Sequence, residues 1–257
     1  MLNTEARKQL QTLLPIGMVA TKSWLQSKGL NLHFVDNAIR SNTLVPLASG
    51  VYKRTDSHIT WQGVVASLQR MSKVPIHAGG LTAINLERLS HYLSMSSLTH
   101  VHLYSEKPLP NWLNRIDVQA QFEWHGTRRL WPSEVMQGKR YLREDALQPP
   151  LLPLFYSCPE KALLELLSDV PQAISFEHAD ELMQNLRNLS PRRLDGLLKS
   201  CRNIKAKRLF FWFAGRHQHP WLKHLNSAEY DFGSGKRMVA KEGRLDSDWQ
   251  ITVPKEM

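Results

Sequence analysis

Within its first 54 residues the chain sets three helix-forming segments between turns of only a few residues and then closes on two short strand-like runs. Few small folds satisfy that order. Asn3 or Thr4 is placed to cap the first helix, with Glu5 in its first turn and Ala6, Leu10, Leu13 and Leu14 on one apolar stripe; Pro15 and Gly17 stop it. Thr21 is a plausible N-cap for a second, short helix with Trp24 and Leu25 inward and Gly29 at its C-terminal end. A third helix spans Asn31 to about Ser41, and the runs Leu44 to Leu47 and Val51 to Arg54 flank Ala48, Ser49 and Gly50 as a hairpin.

This pattern predicts a winged helix-turn-helix over residues 1–56. In its third helix, Leu32, Val35 and Ile39 are expected to face the core, while His33, Asn37, Arg40 and Ser41 gather on the opposite side. Asn can bond adenine and Arg can bond guanine in bidentate fashion, so the polar side suits a helix that reads base edges. Phe34, at the edge of that stripe, is placed to meet a thymine methyl. Lys22, Lys53 and Arg54 are positioned for a phosphate backbone. Three-helix units with a hairpin also serve as protein docking modules. The seven basic against three acidic residues through position 56 tip the reading toward DNA.

Charge over the whole chain agrees, at a formal +10, but DNA, RNA, a membrane surface and an acidic protein would all answer to it. With 42% hydrophobic and 22% charged residues the chain is expected to fold throughout as an α+β protein, a small N-terminal domain followed by a larger mixed α/β domain over 57–257. No apolar run reaches the roughly 20 residues a bilayer requires, and the polar start MLNTEARKQLQTLL is unlike a secretory signal, so a cytoplasmic protein with no membrane partner is expected. Cys158 and Cys201 form no CxxC pair and read as buried small hydrophobes.

Beyond the hairpin, a helix is expected from Ile59 through Met71 and another after Gly79 and Gly80, with strands at Val101 to Tyr104 and Val118 to Trp124. Three prolines in 147–154 suggest an internal boundary. Ser157, Cys158, Pro159 and Glu160 form a capping-box pattern ahead of the first of four helices. The four carry core positions at Ala162, Leu163, Leu166 and Leu167; at Ala179, Leu182, Met183 and Leu186; at Leu194, Leu197, Leu198 and Cys201; and at Ala206, Leu209, Phe210 and Phe213. They predict a packed helical layer. Between Arg187 and Arg208 eight basic residues face a single acid, Asp195, which reads as a second basic surface of Arg192, Arg193, Lys199, Arg202, Lys205, Lys207 and Arg208.

Catalytic chemistry finds no convergent set, and no catalytic residue, metal or cofactor is assigned. Gly79-Gly80 lacks the Lys-Ser or Lys-Thr of a phosphate loop, and Gly233-Ser234-Gly235-Lys236 is followed by Arg237, so both read as turns. His217, His219 and His224 lack a nearby Cys or carboxylate pair for zinc. Asp117, Glu123 and His125 lack the lysine that nuclease sites use.

In their order, GMVATKSWLQSKGLN, GVYKR, HAGGLTAINLERLSHYL, CPEKALLELLSDVP, LSPRRLDGLLKSCRNIKAKRLFFWFA and GSGKRMVAKEGRLDSDWQITVP make the sequence resemble the AbiEi antitoxins of bacterial type IV toxin-antitoxin and abortive-infection systems, nearly end to end. The resemblance implies a winged helix that represses its own operon at inverted repeats in double-stranded DNA. It also implies a larger domain that counteracts a cognate nucleotidyltransferase toxin, with or without direct contact. Carried over residue by residue, it implies DNA contacts at Thr21, Lys22, His33, Asn37, Arg40, Ser41, Lys53 and Arg54, and it places the Arg192 to Arg208 patch in the domain linked to antitoxicity. Many family members carry a basic residue just before the wing glycine, whereas this chain has Ala48-Ser49, so its wing is expected to work through Lys53 and Arg54. A plain winged-helix transcription factor with a ligand or partner domain, and a nucleic-acid-processing enzyme using Asp117 and Glu123, stand as alternatives.

Overall fold

Leu10, Leu14, Leu25, Val35 and Leu44 are all but removed from solvent and come together in one core, which fixes how the first helices and the hairpin assemble. Each such leucine contributes about 1.5–3 kcal/mol by burial. The computed structural model describes residues 4–89, 98–145 and 152–257. Its first elements are α1 (Thr4–Leu13), β1 (Ala20–Thr21), α2 (Lys22–Ser27), α3 (Leu32–Arg40), β2 (Leu44–Ala48) and β3 (Val51–Arg54). The strands form a small antiparallel sheet in the order β1-β3-β2, with Ala20 opposite Tyr52 and Val45 opposite Lys53. A register shift between Pro46 and Ala48 bends the hairpin, and Gly50 takes the left-handed conformation its turn requires, at φ 74°.

Local chemistry sets the helix boundaries. Thr21 Oγ1 accepts from Trp24 N at 3.1 Å and Asn31 Oδ1 from His33 N at 2.8 Å, so α2 and α3 each begin on a side-chain cap. Gly29, at φ 92°, ends the turn after α2. The first-helix cap expected at Asn3 lies outside the described residues. A fourth helix, α4 (Trp61–Met71), closes the core with Ala66 and supports it through hydrogen bonds: Ser67 Oγ accepts from Val19 N at 2.9 Å and Arg70 Nη1 donates to Leu13 O at 2.7 Å.

The chain divides into two compact units, Met1–His77 with Ser96–Trp124 and Glu144–Phe155, and Ala78–Met95 with His125–Arg143 and Tyr156–Met257. Strands β4 (Ile76–Ala78), β5 (Thr99–Ser105), β6 (Ala120–Gly126), β7 (Leu142–Asp145) and β8 (Leu154–Ser157) form a five-stranded sheet in the order β6-β5-β4-β8-β7. Strands β4 and β8 run parallel, with Ala78 opposite Tyr156. The expected boundary at 147–154 falls largely outside the described residues.

In the second unit, α5 (Gly80–Leu86) and α6 (Ser133–Gln137) precede α7 (Pro159–Ser168), α8 (Phe176–Asn185), α9 (Pro191–Ser200) and α10 (Ile204–His217). The four-helix layer read from the periodicity is present, and α7 lies at its centre, packed on α5, α8, α9 and α10. Every residue of α7 from Pro159 to Leu167 is buried, so three charged side chains, Glu160, Lys161 and Glu165, lie inside. The capping box expected at Ser157 does not form. Cys158 is the N-cap and makes no side-chain cap bond, Ser157 Oγ donates instead to Glu165 Oε2 at 2.8 Å, and Glu160 Oε1 accepts from Ser190 N at 2.8 Å. Burial explains the exchange, since a carboxylate inside needs donors more than an exposed helix end does.

Arg208 holds the C-terminal segment. Its guanidinium donates to the carbonyls of Phe232, Gly233, Gly235 and Gln250, and Phe211 stacks on Trp249 at 4.9 Å between ring centroids. The Gly233 to Lys236 stretch is thus a turn whose carbonyls face a buried arginine. The hairpin of β9 (Arg244–Asp246) and β10 (Ile251–Val253) follows.

Candidate nucleic-acid interface

Helix α3 buries Phe34, Val35 and Ala38 and turns Leu32, His33 and Arg40 to solvent, with Asp36 and Asn37 half-buried beside them. The outward face therefore contains the expected series His33, Asn37 and Arg40, spaced four and three residues apart on one side of the helix. Two expectations are corrected. Leu32 is 48% exposed rather than inward, and Phe34 is 9% exposed and packed in the core, where no thymine methyl can reach it. Val35 and Ile39 do face the core, and Phe34 and Ala38 rather than Leu32 complete the buried arc.

The side chains of His33, Asn37 and Arg40 have no hydrogen bond or ion pair with the described residues, so their donors and acceptors are available to a ligand. The remaining expected contacts are engaged. Thr21 Oγ1 caps α2 and lies 3.2 Å from Ser23 Oγ. Lys22 Nζ lies 2.5 Å from Asp36 Oδ1. Ser41 Oγ contacts Thr43 Oγ1 at 3.0 Å while remaining exposed at the end of α3. In the wing, Lys53 Nζ donates to Ser57 O at 2.6 Å and Arg54 Nη2 to Asp56 Oδ2 at 2.9 Å. Asp36 is the feature that sequence reading passed over. Its i+4 relation to Leu32 and i−4 relation to Arg40 put a carboxylate on the same face, a signal visible in the spacing.

The second basic surface shrinks. Lys207 and Arg208 are 2% and 3% exposed and leave it altogether. Lys205 Nζ donates to Val170 O at 2.5 Å, Arg202 Nη1 to Arg128 O at 3.4 Å, and Lys199 pairs with Asp195 and Glu229. Arg192 and Arg193 remain, joined by Arg140 around a cavity of about 430 Å³.

Several of the residues weighed for chemistry have local partners. Gly80 N donates to Glu165 Oε2 at 3.1 Å, so the backbone after Gly79 is already occupied by a carboxylate. Glu123 pairs with His100 at 2.6 Å and His102 at 3.5 Å, and His125 Nδ1 lies 3.1 Å from Asp169 Oδ2. His217 pairs with Asp180 at 2.8 Å. His219 is buried against Trp221 and the Met183 carbonyl, and that burial pushes its pKa below the ordinary imidazole value. Among the described residues no helix is long and apolar enough to cross a membrane.

The arrangement of α2, α3 and the wing can be set beside known proteins. Residues 3–95 match the profile described as the N-terminal domain of the AbiEi antitoxin transcriptional regulators, and residues 99–254 match the profile of the AbiEi transcriptional regulator and antitoxin of type IV toxin-antitoxin systems. The chain belongs to the AbiEi family. It is accordingly a transcriptional-regulator antitoxin of the type IV class. A search of the curated proteins returned no match. Among solved structures, the crystal structure of the RV2827C protein from Mycobacterium tuberculosis is similar at 18% identity and a TM-score of 0.51, covering 98% of this AbiEi chain and 92% of that one. At that identity the likeness bears on fold alone.

Proposed function

We propose that this AbiEi protein binds inverted repeats upstream of its own operon through α3, represses transcription there, and counteracts a nucleotidyltransferase toxin encoded beside it. The observation that carries the DNA-binding part is the unengaged series His33, Asn37 and Arg40 on the outward face of a capped helix. Its chemistry supplies bidentate partners for adenine and guanine, and Lys53 and Arg54 of the adjacent wing would serve phosphate by exchanging Ser57 O and Asp56 for it. Membership of the antitoxin family supports the second part. Two assays test it: an electrophoretic shift with the DNA upstream of the operon, and coexpression with the neighbouring toxin gene. Retarded upstream DNA and restored growth are expected. Neither occurring overturns the proposal.

A second reading, a winged-helix regulator governed by a small ligand, draws support from a cavity of about 650 Å³ in the first unit. Trp24, Leu68, Met71, Ile76 and Trp112 line it, and Thr21, the cap of α2, stands at its edge. An apolar cavity of this size suits a small organic ligand. Operator affinity that depends on an added small molecule, together with no effect on the toxin, would favour this reading.

A further inference from the structure

We propose that Arg140, Arg192 and Arg193 form a receptor for a single phosphoryl group. Together with Ser190 they line a cavity of about 430 Å³ in the second unit. Three arginines lining one space bring like charges together, and the forked N–H geometry of arginine matches phosphate oxygens in bidentate fashion.

The cavity is built on anchored parts. Arg140 lies over the ring of Tyr141, 5.2 Å from its centroid, and Tyr141 is fixed in turn by Cys158 N, which donates to its carbonyl at 3.0 Å. Gly196 lets that platform approach α9, because a Cβ there would stand only 2.5 Å from Tyr141 Oη. On the other side, Glu160 Oε1 accepts from Ser190 N at 2.8 Å and lies 3.9 Å from Arg193 Nη1. Glu160 is 2% exposed and fixes both Ser190 and Arg193 from within.

Charge bookkeeping defines the ligand. Glu160 offsets one arginine, while Arg140 and Arg192 have no acidic partner among the described residues. The residual charge of two matches a phosphoryl dianion. A nucleic-acid strand would instead want a track of cations, and the neighbouring candidates are spent internally: Lys199 on Asp195 and Glu229, Lys205 on Val170 O, Arg208 on the C-terminal carbonyls. The chemistry is thus a point contact with one phosphoryl group, carried by inorganic phosphate or by the end of a nucleotide.

Calorimetric titration of the full chain in phosphate-free buffer tests this, with inorganic phosphate, pyrophosphate, AMP, ATP and a duplex oligonucleotide as separate probes. Saturable binding of a phosphate or nucleotide probe is expected, with Kd at or below about 1 mM. In Arg140→Ala/Arg192→Ala that binding weakens at least about tenfold, and in the exposed control Lys236→Ala it does not. Circular dichroism confirms that the variants stay folded, as surface substitutions should allow. Tighter binding of nucleotides than of phosphate assigns the nucleotide as the source, and equal binding assigns the free ion. The proposal is overturned if no small probe binds saturably, if binding ignores the double substitution, or if only the duplex binds through these arginines with a salt slope of several units.

Discussion

Lys22 Nζ and Asp36 Oδ1 lie 2.5 Å apart, tying the first turn of α2 to the outward face of α3. Both side chains are about one-third exposed, so the pair contributes at most about 1 kcal/mol to stability. On the proposed reading of α3 its larger effect is on recognition, since it would place a negative charge beside the DNA and hold a cation back from phosphate. In Asp36→Ala, affinity for random duplex DNA should rise, and the salt slope should steepen by about 0.9 as Lys22 becomes free to displace one counterion. Anisotropy titrations over a range of salt measure it. An unchanged slope would show that Lys22 gains no phosphate contact.

Lys161 is fully buried, 3.8 Å from Glu165 Oε1, and burial pushes its pKa below the ordinary lysine value of 10.5. Between that depressed native pKa and 10.5 the unfolded chain binds more protons than the folded one, so this lysine's contribution makes stability rise with pH across that window. Lys161→Met should cost less than loss of the carboxylate, because Lys161 Nζ has no hydrogen-bond partner among the described residues while Glu165 keeps three donors, and it should abolish that rise. Glu165→Ala should cost about 3–5 kcal/mol, because Trp131 Nε1, Ser157 Oγ and Gly80 N all donate to this carboxylate. Denaturant melts at several pH values distinguish the two. A Lys161→Met variant as damaged as Glu165→Ala would contradict the assignment.

Burial, reinforced for Cys158 by the Glu160 carboxylate, pushes the Cys158 thiol up to about 12 and that of Cys201 up to about 11. Almost no thiolate exists at neutral pH. Both cysteines should therefore resist aromatic disulfide reagents in the folded protein and titrate fully in denaturant. Rapid native reaction of either would mean that the helical layer opens readily.

Arg208 is a clamp rather than a surface cation. Arg208→Ala should release the segment from Phe232 to Gln250 at a cost of about 3–5 kcal/mol, and Arg208→Lys should rescue little, because an ammonium cannot span the four carbonyls. Hydrogen exchange reads this directly as lost protection in that segment. Full protection in Arg208→Ala would place the holding force in the Phe211 and Trp249 stack alone.

Much of this architecture was legible because local chemistry sets it: Thr21 and Asn31 cap helices, Gly29 and Gly50 turn the chain, and the heptad-like spacing of leucines marks the four-helix layer. Strand β1 was not, since two residues hold no periodicity and Ala20–Thr21 become a strand only by pairing with Val51 and Tyr52. In α3 the inward facing of Val35 and Ile39 was legible, while the exchange of Leu32 for Phe34 was not, for a related reason. Leu32, Val35 and Ile39 fit a helical stripe as well as Phe34, Val35 and Ala38 do, and only tertiary neighbours decide between them. Basic residues misled most. Arg208 differs from Arg192 through carbonyls 24 to 42 residues away, which no local pattern reveals.

On the proposed reading, α3 reads the operator through Asn37 and Arg40. The most direct measurement is the affinity of wild type and of Asn37→Ala/Arg40→Ala for the upstream inverted repeat and for random duplex, at one fixed salt concentration. Each bidentate contact is worth about 1–3 kcal/mol, so the double variant should lose roughly 30-fold or more on the repeat while changing far less on random DNA. Equal affinities of the two proteins for the repeat would contradict it.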